Sequence, residues 1–279
     1  MIKIITDSTS DISPQEAAAL GVEVVPLKVV FGGQAYRDGI DMDTDAFYKK
    51  LAASENIPTT SQPPPEDFLT HFNEARKKGD SVIAITLSGK LSGTVQSANL
   101  AKKMSGYENV HVIDSGATVI ALRQIVMHAL SLVKQSVSVS KILTSIEDMK
   151  LRQHFFTMID TFEYLYKGGR LSKSAKIAGT LLTIKPLLTL KEGGPEIFAK
   201  ARGVSNSIKA VLNSIALSGG IDTDYPVYLG YTAENSKCLQ FKEKLLKQYA
   251  IPVIEIHPVG CVVGTHVGPG AFAISYVSK

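Results

Sequence analysis

The segment Ser81-Val82-Ile83-Ala84-Ile85-Thr86-Leu87-Ser88-Gly89-Lys90-Leu91-Ser92-Gly93-Thr94 decides the fold class. Its first six residues form a short apolar run with β-branched side chains, which predicts a buried strand. A Gly/Ser loop follows, and a helix is expected from about Gly93. Ser92 then falls at the N-cap, where its hydroxyl can bond the helix's own N–H groups or a ligand oxygen. Gly93 lets a ligand approach the backbone closely.

The same alternation runs through the first half of the chain. Ile2–Thr6 is a strand, and Ser13-Pro14-Gln15-Glu16 resembles a capping box with Pro at the first helical position. Val22–Phe31 is strand-like and ends in the Gly32-Gly33 turn, while Thr44–Ser54 and Pro65–Lys78 carry helical patterns. Val110–Ile113 is a further strand, followed by a long helical stretch to about Lys150. Strands that alternate with helices imply crossover connections and a mostly parallel sheet.

The second half is organised differently. Phe155–Ile159 is a strand, and Phe162–Leu182 is helical with a break at Gly168-Gly169. Ile184–Leu190 and Glu196–Ala199 flank Gly193-Gly194-Pro195 as a β-hairpin. Helices at 204–217 and 234–249 alternate with strands at 227–231, 253–256 and 272–277. The uncharged stretch Val259–Ser278 is cut by glycines and Pro269, so it is expected to form buried strands rather than a membrane span. The expected fold is therefore α/β with two domains. Residues 1–152 form a mostly parallel sheet with flanking helices, and residues 153–279 a mixed or antiparallel sheet with helices. A chain of 279 residues agrees with about two domains.

Composition excludes several classes. Hydrophobic residues make up 44% and charged residues 20%, which is globular rather than disordered. The 30 basic and 26 acidic residues leave a net charge of +4, and no Lys/Arg run or nucleic-acid-binding motif accompanies it, so nucleic acid is not an expected partner. The two cysteines are too far apart for a Cys-x-x-Cys site and suit a reducing cytosol. No signal peptide opens the sequence, and a cytoplasmic location is expected. The six histidines show no metal-ligand spacing, and there is no Gly-x-Gly-x-x-Gly, Walker A loop or Gly-x-Ser-x-Gly elbow.

Four hydroxyl- and Gly-rich loops remain at strand ends: Asp7–Asp11, Thr59–Pro65, Leu87–Thr94 and Ile113–Gly116. In open α/β sheets ligands sit beyond the carboxyl ends of strands, where helix N-termini favour anions. Singly, each loop is an ordinary cap and turn; together they suggest a polar anion cradle. Pro63-Pro64-Pro65 restricts the second loop, so Thr60 can be held in place at little entropic cost. His266 is expected in a Gly-rich turn, Gly264–Gly270. Arg170 follows a double glycine, either opposing a helix dipole or presenting a guanidinium to a carboxylate or phosphate.

Taken in order, these motifs resemble the DegV family. The matching stretches are Thr6–Asp11, Thr60-Ser61-Gln62-Pro63, Leu91-Ser92-Gly93-Thr94, Val112–Ser115, Lys167–Leu171, Ile184–Leu188 and Gly264–Gly270, spanning nearly the whole chain. The resemblance implies a long-chain fatty acid in the cleft between or beneath the two domains, with no other cofactor. It further implies a carrier without chemistry of its own, which presents the carboxylate to a separate ATP-dependent fatty-acid kinase subunit. The family's carboxylate-binding positions fall on Thr60, Ser92 and His266, with Ser61 and Gly93 beside them. Arg170 and Arg202 match basic positions expected near the carboxyl or phosphoryl group, facing the kinase. No transmembrane segment is expected, and transient contact with a membrane surface is compatible with such a carrier. Val95, Gly116–Ile120 and Ala273 depart from the family pattern at the pocket wall, which bears on acyl-chain preference. Two rivals share these residues: an acyl hydrolase using Ser92 and His266, and a binding protein for a small phosphorylated metabolite.

Overall fold

A computed structural model describes residues 1–171 and 184–279. The first half contains β1 (Ile2–Asp7), a 3-10 turn (Ser8–Ser10), α1 (Pro14–Leu20), β2 (Glu23–Val25), β3 (Lys28–Phe31), β4 (Gln34–Arg37) and α2 (Thr44–Ala53). It continues with β5 (Thr59–Ser61), α3 (Pro65–Lys78), β6 (Ser81–Thr86), α4 (Thr94–Ser105), β7 (Val110–Asp114), α5 (Val119–Lys134) and α6 (Val139–Arg152). Then come β8 (Gln153–Met158), α7 (Glu163–Lys167), β9 (Ile184–Lys191), β10 (Gly194–Arg202), α8 (Gly203–Leu217), β11 (Val227–Tyr231), α9 (Ser236–Leu246), β12 (Ile254–Pro258), α10 (Cys261–Val267) and β13 (Phe272–Val277).

The fold is α/β. Strands β2-β1-β6-β7 form a parallel four-stranded sheet. The middle of strand β6, Val82–Ile85, is wholly apolar because both of its faces are covered. Val82 and Ala84 pack with Phe68 and Phe72 of α3 and Ala98 and Ala101 of α4. Ile83 and Ile85 point the other way, into a core with Leu122, Ile125 and Val126 of α5 and Ile142 and Ile146 of α6. The expected capping box is present in part: Ser13 Oγ accepts the Glu16 N–H at 3.2 Å, with Pro14 in the first turn.

The second large sheet has the order β10-β9-β8-β13-β11-β12 and is antiparallel except for the β11–β12 pair. One face, with Phe156, Met158, Leu187, Leu229, Phe272 and Ile274, packs on Ile208, Val211 and Ile215 of α8 and Phe241 and Leu245 of α9. The other face meets α5. There Ser275 Oγ donates to Gln124 Oε1 at 2.7 Å, and Gln124 Nε2 donates to the Pro226 carbonyl at 2.8 Å. Arg123, 1% exposed on the same helix, reaches the Glu16 carboxylate and the Asp11 carbonyl. Helix α5 thus ties both large sheets together.

Several elements differ from expectation. Val22–Phe31 is two strands, β2 and β3, divided at Pro26, which has no N–H to give a ladder. Strand β3 turns away to join β4 and β5 in a small antiparallel sheet, so Thr59–Ser61 is a strand rather than loop. The helical stretch to Lys150 is two helices, separated by residues including Ser136 at φ 58°. The uncharged stretch is not strands alone, because Cys261–Val267 forms helix α10 before β13. The helix starting near Phe162 is described only as α7; its continuation from Ser172 to Leu182 lies outside the described residues.

Candidate functional site

A cavity of about 330 Å³ lies against the α5 face of the second sheet, beyond the carboxyl end of β6. Its size suits a small-molecule site. Leu188, Thr157, Ala273 and Gly230 are register partners in one row across four strands, and all four line it. Two small residues in that row leave the space. The first turn of α5 closes the deep end: Val119, Val259 and Ala273 line it within one buried apolar cluster that includes Ile120. Ile120 Cγ2 lies 3.2 Å from where a Cβ on Gly230 would sit, so the wall has no slack there. Val119 holds φ 47°, a strained value for a β-branched residue.

Apart from Thr118, Thr157, Thr189 and Thr232 in the walls, the polar side chains gather at the opposite end. Thr60, Ser61, Ser92, Gly93, Arg170 and His266 all line this cavity, together with Gln62. Ser61 and Gln62 are exposed while Val119 and Ala273 are buried, so the polar end is the mouth. Arg202 is not among the lining residues; it is exposed at the end of β10. Gln62 Nε2 donates to Ser97 Oγ at 3.0 Å, bracing β5 against α4. Composition gave no reason to single out Gln62, whose role comes from a contact formed only on folding.

His266 sits on α10 rather than in a Gly-rich turn, and its Nε2 lies 2.8 Å from Thr60 Oγ1. These residues are 206 positions apart. Burial is the larger cause, and the nearby Arg170 charge the second, that push the imidazole down to about 4. His266 is therefore neutral near pH 7, and among the described residues its buried Nδ1 has no hydrogen-bond partner. Arg170 Nη1 donates to the Gly168 carbonyl at 2.8 Å and Nε to the Leu91 carbonyl at 3.3 Å, holding the guanidinium at the mouth. Ser92 is not the N-cap, because Gly93 takes that position and α4 starts at Thr94. Its Oγ instead lies 2.9 Å from Thr94 Oγ1.

This wiring differs from a hydrolase triad. His266 Nε2 faces Thr60 rather than Ser92, and among the described residues no carboxylate orients its Nδ1. Of the four loops, only the second and third reach the cavity. The first turns inward instead: Ser8 Oγ donates to Asp38 Oδ2, Thr9 Oγ1 to Asp7 Oδ1 and Ser10 Oγ to the Asp7 carbonyl. In the fourth, Asp114 accepts the Gly89 and Gly116 N–H groups. Among the described residues no group of three acidic, His or Cys side chains could hold a metal ion, and no helix is long and apolar enough to cross a membrane.

The model of the family described as "Uncharacterised protein, DegV family" matches residues 1–279. The chain belongs to the DegV family. A DegV domain-containing protein of Caldanaerobacter subterraneus subsp. tengcongensis is 32% identical over 278 residues, covering 100% of this chain and 99% of the relative. Among solved structures, a fatty-acid-binding DegV protein of Thermus thermophilus superposes with a TM-score of 0.92 at 32% identity, covering 100% of this chain and 99% of the other. DegV of Bacillus subtilis, described as a fatty acid binding protein, gives a TM-score of 0.85 at 30% identity, with coverage of 100% and 99%.

Proposed function

We propose that the chain binds a long-chain fatty acid, with its methyl end under α5 and its carboxylate at the mouth. The observation that carries this is the cavity's polarity: an apolar deep end with hydroxyls, a neutral imidazole and a guanidinium gathered at the other. Burying about fourteen methylenes at ~0.8 kcal/mol each gives on the order of 11 kcal/mol gross, reduced by ordering and association costs. The carboxylate needs donors if it is to leave water. Thr60 and Ser92 supply hydroxyls, with Ser61, Gly93 and His266 around them. The fatty-acid-binding descriptions of the Thermus thermophilus and Bacillus subtilis relatives support the same ligand class.

The residues that hold the acid are not themselves suited to chemistry, so we assign a carrier role. The carboxylate is presented, past Arg170 at the mouth and with Arg202 outside it, to a separate ATP-dependent kinase subunit in the cytoplasm. We place the boundary between the two domains at residue 152, where α6 hands over to β8.

Native mass spectrometry of the purified chain tests the ligand: added mass matching a long-chain fatty acid is expected, and a phosphorylated metabolite in its place would refute the reading. Thr60→Val and Ser92→Ala are each expected to weaken binding by about 1–3 kcal/mol, the cost of an unpaired buried acceptor. Wild-type affinity in both variants would place the carboxylate elsewhere. At the deep end, Ala273→Leu fills part of the row between Thr157 and Gly230. Chromatographic profiling of extracted lipid is expected to show a shift to shorter chains, and an unchanged profile would mean that the chain does not lie along this row.

A further inference from the structure

The histidine at the mouth owes its position to residues on the far side of its helix. Helix α10 is short and poor in helix-forming residues, with Val262, Val263, Gly264 and Val267 among its members. Its placement must therefore come from outside, and the first free N–H groups show how. The Gly260 N–H donates to Asp11 Oδ1 at 2.9 Å, and the Cys261 N–H to Asp38 Oδ1 at 3.1 Å. Asp38 is 6% exposed, and its other oxygen accepts from Ser8 Oγ at 2.9 Å. Ser8 Oγ in turn accepts the Leu27 N–H at 3.1 Å, tying this oxygen to the start of β3. Asp11 takes φ 55°, a left-handed value that Asp tolerates better than most residues, and this turns its carboxylate towards Gly260. One helical turn on, Gly264 lies so close to α2 that a Cβ would be 2.6 Å from Tyr48 Oη and 2.7 Å from Phe47 Cε1. His266 follows less than two turns from the clamp, a rise of about 9 Å.

We propose that Asp11 and Asp38 are positioning residues, which set the height and rotation of α10 and thereby the His266–Thr60 pair at the cavity mouth. The first loop thus serves the site from behind: its Asp11 carboxylate, together with Asp38 from beyond β4, is aimed at the helix that carries the histidine. A backbone N–H clamp at one end of a short rigid helix fixes the other end, and a hydrogen bond of 2.8 Å tolerates little displacement. The binding part of this inference rests on the fatty-acid reading; the geometric part does not.

The test compares Asp38→Ala with Asp38→Asn, which keeps an acceptor oxygen. Affinities for hexadecanoic acid and hexadecanol are measured, and the ring nitrogens of His266 are followed by 15N NMR in ligand-free protein. Asp38→Ala is expected to lower affinity for the acid about tenfold while leaving the alcohol within about twofold, and Asp38→Asn to restore the acid. The His266 ring signals should move in Asp38→Ala and return in Asp38→Asn. Ser8→Ala, which frees one Asp38 oxygen without removing the carboxylate, is expected to show a smaller change in the same direction and serves if Asp38→Ala does not fold. Unchanged ring signals would overturn the positioning role, as would equal weakening of acid and alcohol where the wild type prefers the acid. Ring signals that move as expected in a protein with no preference for the acid would keep the positioning role and remove the fatty-acid reading.

Discussion

On the fatty-acid reading, Gly168→Ala is expected to yield purified protein largely free of bound acid. The residue follows α7 with φ outside the left-handed region, so the objection to a side chain is one of space. A Cβ there would overlap His266 Nδ1 and stand 2.9 Å from the Tyr164 carbonyl. The carbonyl is backbone and cannot yield, so the imidazole must. A shift or rotation of the ring large enough to clear a Cβ disturbs its 2.8 Å contact with Thr60 at the mouth. Overpacking of this kind costs about 1–3 kcal/mol in stability, and the lost pairing should lower affinity for the acid by a similar amount. Lipid content by native mass spectrometry, read beside the melting temperature, checks it. Full lipid occupancy in a stable Gly168→Ala protein would show that the histidine's placement does not govern binding.

The second large effect is on the pH dependence of stability. The His266 imidazole, ordinarily near 6.5, is pushed down to about 4, chiefly by burial and secondarily by Arg170. The folded state therefore resists a proton that the unfolded chain accepts. The resulting contribution is fully present above about pH 6.5 and falls away as pH drops from there through about 4, amounting to about 3 kcal/mol. Asp7 works in the opposite sense. Burial raises its carboxyl to about 6, so the folded state takes up a proton there more readily than the unfolded chain, and lowering the pH relieves a cost. The two are separated by difference. Urea unfolding of the wild type and His266→Gln between pH 7.5 and 4.5 should show the wild type losing its excess stability over the variant as the pH falls. Parallel curves would mean that the imidazole titrates alike in the folded and the unfolded chain.

The parallel sheet was legible because its strands are short apolar runs between turn residues, and both faces of β6 demand apolar neighbours. Helix α10 was not legible. Its valines and glycines argue locally for strand or turn, and only the close approach of Gly264 to Phe47 and Tyr48, with the carboxylates of Asp11 and Asp38 at its start, makes it helical. Strand β5 was hidden for a similar reason, since its partner β3 lies on the far side of α2 in sequence. At the site, the hydroxyl loops marked Thr60 and Ser92 as small polar groups at strand ends. Their union with His266 came from resemblance to a family rather than from spacing, because no local pattern links residues 206 positions apart. Gly168 looked like a helix stop. Its close approach to the imidazole appears only once α7 and α10 are side by side.

The walls of the cavity come from distant parts of the chain, with Thr60, Ser92 and Val119 on one side and Thr157, Gly230 and Ala273 on the other. A ligand held between them binds the native form and has nothing comparable to hold in an unfolded chain. Occupancy then adds RT ln(1 + [L]/Kd) to stability, about 2.7 kcal/mol when the free acid stands a hundredfold above its dissociation constant. Proteases that sample the opened chain would meet the empty form far more often than the filled one. On the carrier reading, the cellular lifetime of the protein would rise and fall with the supply of its own cargo, without any dedicated sensor.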